Sequence, residues 1–186
     1  MSINLPKVSI VTITYGHEKY ITETLDGVLM QQYDGPVEFI IANDNSPDAT
    51  DEVVKKYFSE NPAPENFEIK YTKHETNRGM MPNFIWALEQ ATGKYIAICE
   101  GDDYWTDPQK LQRQVDFLEK NTDYSTVAEN CKVIDERHNQ SYIFSDKINS
   151  YDVSMEEMIK GRKFHTASIL FRNENLKMPA NYSQYP

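Results

Sequence analysis

The sequence predicts an α/β fold, a three-layer sandwich in which helices cover both faces of a mostly parallel central sheet. Three observations carry this expectation. Runs such as Val8-Ser-Ile-Val-Thr-Ile13 and Val37-Glu-Phe-Ile-Ile-Ala42 are rich in β-formers and largely apolar, as in strands buried on both faces. Segments with apolar residues at helical spacing lie between such runs, and the two kinds alternate up to Leu118. A further apolar run, Tyr95-Ile-Ala-Ile-Cys99, ends abruptly in Glu100, Asp102 and Asp103, with Gly101 among them.

Taken in order, Val8 to Ile13 is the first strand, broken by Thr14-Tyr15-Gly16. Ile21, Leu25, Val28 and Leu29 then repeat at helical spacing, so a helix packs back on the sheet. Val37 to Ala42 is the second strand, and Asn43-Asp44-Asn45-Ser46-Pro47-Asp48 supplies turn and N-cap residues before a helix burying Val53, Val54, Tyr57 and Phe58. Asn61 to Asn66 is a loop, and the alternation in Phe67-Glu-Ile-Lys-Tyr-Thr72 gives a third, less buried strand. After a turn at Asn77-Arg78-Gly79, Pro82 falls in the first turn of a helix that buries Phe84, Leu88 and Ala91, and Gly93 is expected to close it as a left-handed cap. The strand from Tyr95 follows, then a helix from about Pro108 with Leu111, Val115 and Leu118 inward. Beyond Asn121 the signal weakens: Thr126 to Ile134 reads as a strand, Ser154 to Lys160 as a short helix, and Ala167 to Phe171 as a strand.

The chain of 186 residues, 39% hydrophobic and 12% aromatic, suffices for one domain with a real core. Its formal net charge of -10 argues against nucleic acid or an anionic membrane surface as a partner. A phosphate-bearing ligand would need local positive charge, a metal or backbone N–H groups. Cys99 and Cys131 show no metal-ligand spacing and suit reduced residues of an intracellular protein. The first residues lack the pattern of a signal peptide, and no apolar run approaches the ~20 residues that span a bilayer. The expectation is a cytoplasmic protein without a transmembrane segment.

The chemistry is expected at the strand ends. In an open α/β sheet, ligands bind beyond the carboxyl ends of the strands, so the loops Thr14-Tyr15, Asp44-Asn45-Ser46 and Glu100-Gly-Asp-Asp103 can converge. Carboxylates as crowded as Glu100, Asp102 and Asp103 repel, and one must take a proton or a cation must join them. Hard oxygen donors beside solvent favour Mg²⁺ or Mn²⁺. Asp107-Pro108 reads instead as a helix-capping turn. Neither a Gly-x-Gly-x-x-Gly after the first strand nor a Gly-rich loop with Lys-Ser/Thr is present, so dinucleotide and P-loop binding are unsupported.

From Val8 to Leu118 the chain resembles the family 2 glycosyltransferases of the GT-A fold. The likeness rests on the opening strand with Thr14-Tyr15-Gly16, on Asn43-Asp44-Asn45-Ser46 after the second strand, on Asn77-Arg78-Gly79, on Asn83, on Gly93-Lys-Tyr95, and on Glu100-Gly-Asp-Asp-Tyr-Trp105 with Pro108 and Leu111, a variant of the family's DXD motif. Gly16 and Glu100 depart from the family's usual Asn and Asp.

The resemblance implies a metal-dependent, inverting transferase that moves a sugar from a nucleotide-diphospho-sugar, UDP-linked in the favoured case, to a glycan or lipid-linked acceptor in cell-surface polysaccharide or glycan synthesis. Thr14 and Tyr15 would line the base pocket, and Asp44 would accept a ring N–H. Arg78 and Asn83 would contact the nucleotide, Glu100 the ribose or the metal shell, and Asp102 the ribose or sugar. The divalent cation, Mn²⁺ or Mg²⁺, would sit on Asp103 with Asp102 beside it. Residues 1–121 would form the donor-binding half and 122–186 the start of the acceptor-side half of the same domain. With no acidic motif after Arg172, the general base is expected beyond Pro186, in a longer enzyme peripheral to the inner membrane face.

Each residue also admits a plainer role. Tyr15 suits a core edge, Asp44 a helix cap, Arg78 a surface ion pair, Asn83 a partner for loop backbone, and Tyr104 and Trp105 core packing. His17, His74 and His138 read as solvated, and His165 as a hydrogen-bonded residue at a strand start. Two other functions fit the layer architecture: a sugar-nucleotide nucleotidyltransferase, whose Gly-rich basic first loop Thr14-Tyr-Gly-His-Glu18 does not supply, and a non-catalytic nucleotide-sugar-binding module.

Overall fold

The computed structural model describes residues 5–147 and 149–174. Eight strands and five α-helices follow one another as β1 (Val8–Thr14), α1 (Ile21–Leu29), β2 (Val37–Asn43), α2 (Thr50–Glu60), β3 (Phe67–Lys73), α3 (Met80–Glu89), β4 (Tyr95–Ile98), α4 (Lys110–Lys120), β5 (Thr126–Ala128), β6 (Lys132–Asp135), β7 (Gln140–Ile143), α5 (Met155–Ile159) and β8 (Ile169–Arg172). A six-stranded sheet has the order β3-β2-β1-β4-β8-β5, and β6 and β7 form a separate hairpin. β1 pairs in parallel with both β2 and β4, and β2 with β3. β8 is antiparallel to its neighbours β4 and β5.

Period-two alternation assigns each strand residue to a face. Ile10, Phe39, Ile41, Tyr95 and Ala97 meet Ile21, Leu25 and Val28 of α1, Val54 of α2 and Leu111, Val115 and Leu118 of α4. Val11, Ile40, Ala42, Ile96 and Ile98 meet Ala87 and Leu88 of α3 on the other side. Each fully buried aliphatic side chain of this kind contributes about 1.5–3 kcal/mol relative to exposure. The three-layer expectation holds.

The order of the strands fixes where a ligand can go. α1 and α2 carry the chain outward over one face from β1 to β3, and α3 returns over the other face to place β4 on the far side of β1. The sheet therefore reverses its winding between β1 and β4, and loops leaving their carboxyl ends diverge around a crevice. Both acidic loops of interest leave that edge.

Some local expectations are corrected. Gly93 does not lie in the left-handed region, which among glycines holds Gly16, Gly79 and Gly161. α3 has already ended, with Gln90 as its C-cap. Gly93 is required by space instead, since a Cβ there would lie 2.7 Å from Ser9 N and Oγ. The single strand expected over Thr126 to Ile134 is two, because β5 pairs with β8 while β6 turns away to pair with β7. Thr126 is one end of β5, and Thr166–Ser168 form a 3-10 turn before β8. His74 is buried, not solvated. The short helix expected over Ser154 to Lys160 is α5, which opens on a capping box between Ser154 and Glu157.

Candidate active site

Strand ends from β1, β2 and β4 meet through short hydrogen bonds. Thr14, the last residue of β1, is buried, and its Oγ1 lies 3.2 Å from Nδ1 of His17. Tyr15 projects from the turn and is 48% exposed. Gly16 takes a positive φ of 72° and donates its N–H to Ser46 Oγ, while the N–H of His17 reaches Thr50 Oγ1. Those two bonds join the loop after β1 to the loop after β2.

Asp44 is buried at the end of β2, and its backbone N–H pairs with Thr14 O. Its carboxylate accepts the backbone N–H of Arg78 at 2.7 Å and of Gly79 at 2.9 Å. It thereby fixes the turn before α3, where Gly79 has a φ of 88° that L side chains rarely adopt. Arg78 lies with its guanidinium 5.7 Å above the ring of Trp86, and no carboxylate among the described residues pairs with it. Asn83 faces inward: its Nδ2 donates to Ala42 O, and its Oδ1 lies 2.9 Å from Nε2 of His74. Its amide is thus engaged in joining β2 to α3.

The acid loop is pressed against β1. Gly101 donates its N–H to Ile13 O, and a Cβ at this position would stand 2.7 Å from Thr14 Oγ1 and 2.8 Å from His17 Nδ1. Only glycine lets the two loops approach this closely. Gly27 of α1 serves the next stretch in the same way, since its missing side chain admits the backbone of Trp105. Thr24 Oγ1 donates to Asp103 O at 2.8 Å. Trp105 is buried and packs under the loop, whereas Tyr104 is exposed.

The carboxylates then part. Glu100 and Asp103 turn inward and, with His165, bring one donor atom each to within 4.8 Å of one another. Asp102 points away: its side chain is 56% exposed, and its Oδ2 lies 4.0 Å from Nε2 of His17. Of the two residues expected beside the cation, Asp103 lies in this cluster with Glu100, and Asp102 lies outside it. A turn closed by Asp103 N–H to Glu100 O brings the first and fourth residues of the loop together. Burial, with the charges of Asp103 and Asp102 beside it, pushes Glu100 up to about 7. Asp103 is also raised, burial outweighing the opposing influence of His165. Two crowded, partly desolvated carboxylates with an imidazole form an oxygen and nitrogen donor set that fits a divalent cation.

His165 reaches this position from far along the chain. It precedes the 3-10 turn whose carbonyls are held by Trp105 and α4: Trp105 Nε1 donates to Ala167 O and Gln114 Nε2 to Ser168 O, both at 2.8 Å. Lys110, buried in α4, donates to Gln114 and lies 4.2 Å over the Trp105 ring, and burial pulls its amine down to about 8. Sequence reasoning gave His165 a local hydrogen bond, because nothing local signals a carboxylate brought from β4.

Residues 9–177 match the sequence profile described as Glycosyl transferase family 2. The chain belongs to that family. An uncharacterized protein of Mycobacterium tuberculosis, Rv1520, is 36% identical over 167 residues, which is 90% of this chain and 47% of that protein. Among solved structures, TarS 1-349 of S. aureus in complex with UDP-GlcNAc is 29% identical with a TM-score of 0.53, over 62% of this chain and 32% of that TarS chain. The mannosyltransferase PcManGT of Pyrobaculum calidifontis, in complex with GDP-Man and Mn²⁺, is 25% identical with a TM-score of 0.58, over 67% of this chain and 35% of PcManGT. The chain spans about half the length of the curated relatives it matches first. The fold is the GT-A fold of glycosyltransferases. No described helix is long and apolar enough to cross a membrane.

Proposed function

We propose that this chain binds a nucleotide-diphospho-sugar through a divalent cation and presents it for inverting transfer to an acceptor hydroxyl. The observation that carries the reading is the meeting of Glu100 and Asp103 at the crevice between β1 and β4, beside the loops that hold Thr14 and Asp44. TarS with UDP-GlcNAc and PcManGT with GDP-Man and Mn²⁺ support it by likeness.

In this reading Thr14 and the exposed ring of Tyr15 form the wall on which the base rests, with UDP favoured. Each Asp44 oxygen accepts one backbone N–H and retains a lone pair for a base N–H. Arg78, placed over the ring of Trp86, offers a guanidinium to phosphate or base oxygens. Asn83 acts from behind by fixing β2 to α3. Asp102, exposed on the same loop, is the group for the ribose or sugar hydroxyls. Glu100 and Asp103 would hold Mn²⁺ or Mg²⁺, whose chemistry is Lewis-acid stabilisation of the departing diphosphate, typically several kcal/mol. The chain's own contribution is to fix donor and acceptor in line. The two free cysteines, Cys99 buried and Cys131 half-buried, suit a reducing compartment and so a cytoplasmic reaction.

Calorimetric titration of UDP with Mn²⁺ and again in chelator tests the reading. Binding should be markedly tighter with Mn²⁺, and Asp103→Ala should remove the metal-dependent part alone. Equal affinity in both conditions, or none in either, sinks the metal role.

A further inference from the structure

We propose that His165 is a third protein ligand of the divalent cation, so that a loaded donor site ties the segment before β8 to the acid loop after β4. The inference rests on the donor-site reading above and adds a residue from a different part of the chain.

Hydrogen-bond accounting singles out this imidazole. Of the four histidines in the sequence, His17 meets Thr14 Oγ1, His74 meets Asn83 Oδ1, and His138 meets Asp135 Oδ2. The ring of His165 has no hydrogen-bond partner among the described residues, although only 22% of its side chain is exposed. Its Nδ1 faces Asp103 Oδ2 at 3.7 Å, too long for a hydrogen bond. Metal–oxygen bonds of about 2.1 Å in an octahedron set neighbouring ligand atoms about 3.0 Å apart and opposite ones about 4.2 Å apart. The observed separation lies between these values, so both atoms can reach one ion with shifts of about half an ångström.

The backbone around His165 is held for such a role. Ser168 donates from both its N–H and its Oγ to His165 O, at 3.0 and 2.7 Å. Further along the 3-10 turn, the carbonyls of Ala167 and Ser168 are clamped by Trp105 and Gln114 as described. On the other side, Phe144 meets the imidazole edge to face at 6.2 Å between centroids. A mixed imidazole–carboxylate set also shifts the choice of ion from Mg²⁺, which prefers oxygen alone, towards Mn²⁺.

Pulsed EPR on the Mn²⁺–UDP complex of the intact chain reads the coordination directly. Echo modulation from a directly bound imidazole ¹⁴N is expected, changing to the ¹⁵N pattern when only histidine is ¹⁵N-labelled, a version that needs no mutation. The histidine signal should vanish in His165→Gln and persist in His17→Gln, with Mn²⁺ affinity in His165→Gln reduced by on the order of 10–100-fold. Bound Mn²⁺ without histidine-nitrogen coupling, or coupling lost in His17→Gln instead, overturns the assignment and leaves the donor-site reading intact. Failure of the wild-type chain to bind Mn²⁺ with UDP overturns both.

Discussion

The carboxylate of Asp44 accepts the backbone N–H of Gly79 across the gap between the end of β2 and the start of α3, while its other oxygen takes the N–H of Arg78. A side chain expected to read the nucleotide base is therefore also a structural tie for the turn that positions Arg78. Asp44→Ala leaves the Arg78 N–H without its acceptor and the Gly79 N–H with Asn77 Oδ1 alone, and loss of these bonds to a charged group costs on the order of 2–3 kcal/mol. At ~2–4 °C per kcal/mol for a chain of this size, the melting temperature should fall by roughly 4–12 °C. UDP binding should weaken in chelator as well as in Mn²⁺. An unchanged melt would show that the turn holds itself.

Gly101→Ala tests whether the close approach of the acid loop to β1 matters. The added Cβ would meet Thr14 Oγ1 and His17 Nδ1 at 2.7 and 2.8 Å, and the Thr14 side chain sits on a strand that cannot retreat. Overpacking of this kind costs about 1–3 kcal/mol. Chemical denaturation should show that loss, and UDP affinity should fall with it. Full stability with full affinity would mean that the loops separate freely.

Asp102 and Asp103 should behave differently although they are adjacent. Asp103 lies in the donor cluster with Glu100, and Asp102 faces solvent beside His17. Asp103→Asn should weaken Mn²⁺ binding by tenfold or more, on the scale of ligand-shell changes. Asp102→Asn should leave Mn²⁺ affinity close to wild type and weaken UDP-sugar more than UDP. Manganese EPR titration of both variants decides it, and equal losses would return Asp102 to the metal.

Glu38 governs acid stability at the opposite end of the sheet. Burial alone would push its carboxyl up, but hydrogen bonds from Lys7 and Lys70, Ser9 and the Thr92 N–H more than reverse this and hold it well below its ordinary value of 4.5. A folded-state value below the unfolded one means the stabilisation is present above about pH 4.5 and is lost as pH falls towards the folded value. Glu38→Gln should cost roughly 1.5–3 kcal/mol at neutral pH. Melting curves of wild type and variant should converge as the pH drops below that ordinary value; parallel curves would contradict the account.

The four-fold β-α alternation was legible because β1, β2 and β4 are covered on both faces, which demands near-continuous apolar runs that no exposed strand would show. The acid loop was legible for the same reason, as a sudden change of polarity at the end of β4. What escaped depends on contacts between distant segments. Gly93 reads as a helix cap from its neighbours, yet its need for no side chain comes from Ser9 on β1. His74 looks solvated until Asn83 and the Trp86 ring, 4.6 Å between centroids, are folded over it. His165 carries no local sign of Asp103, and Thr126 to Ile134 no sign that its halves find different partners.

The insertion of β8 between β4 and β5 has a consequence for synthesis of the chain. On a ribosome, β1 to β4 and the helices between them emerge first and can assemble as a parallel sheet, but the outer edge of β4 then remains open. That edge carries Tyr95-Ile-Ala-Ile98, an apolar strand well suited to capture a strand from another chain. It stays open until Ile169–Arg172 has been translated and has turned back to pair with it. The nascent protein therefore passes through an adhesive stage that lasts for as long as the whole stretch from α4 through α5 takes to be made.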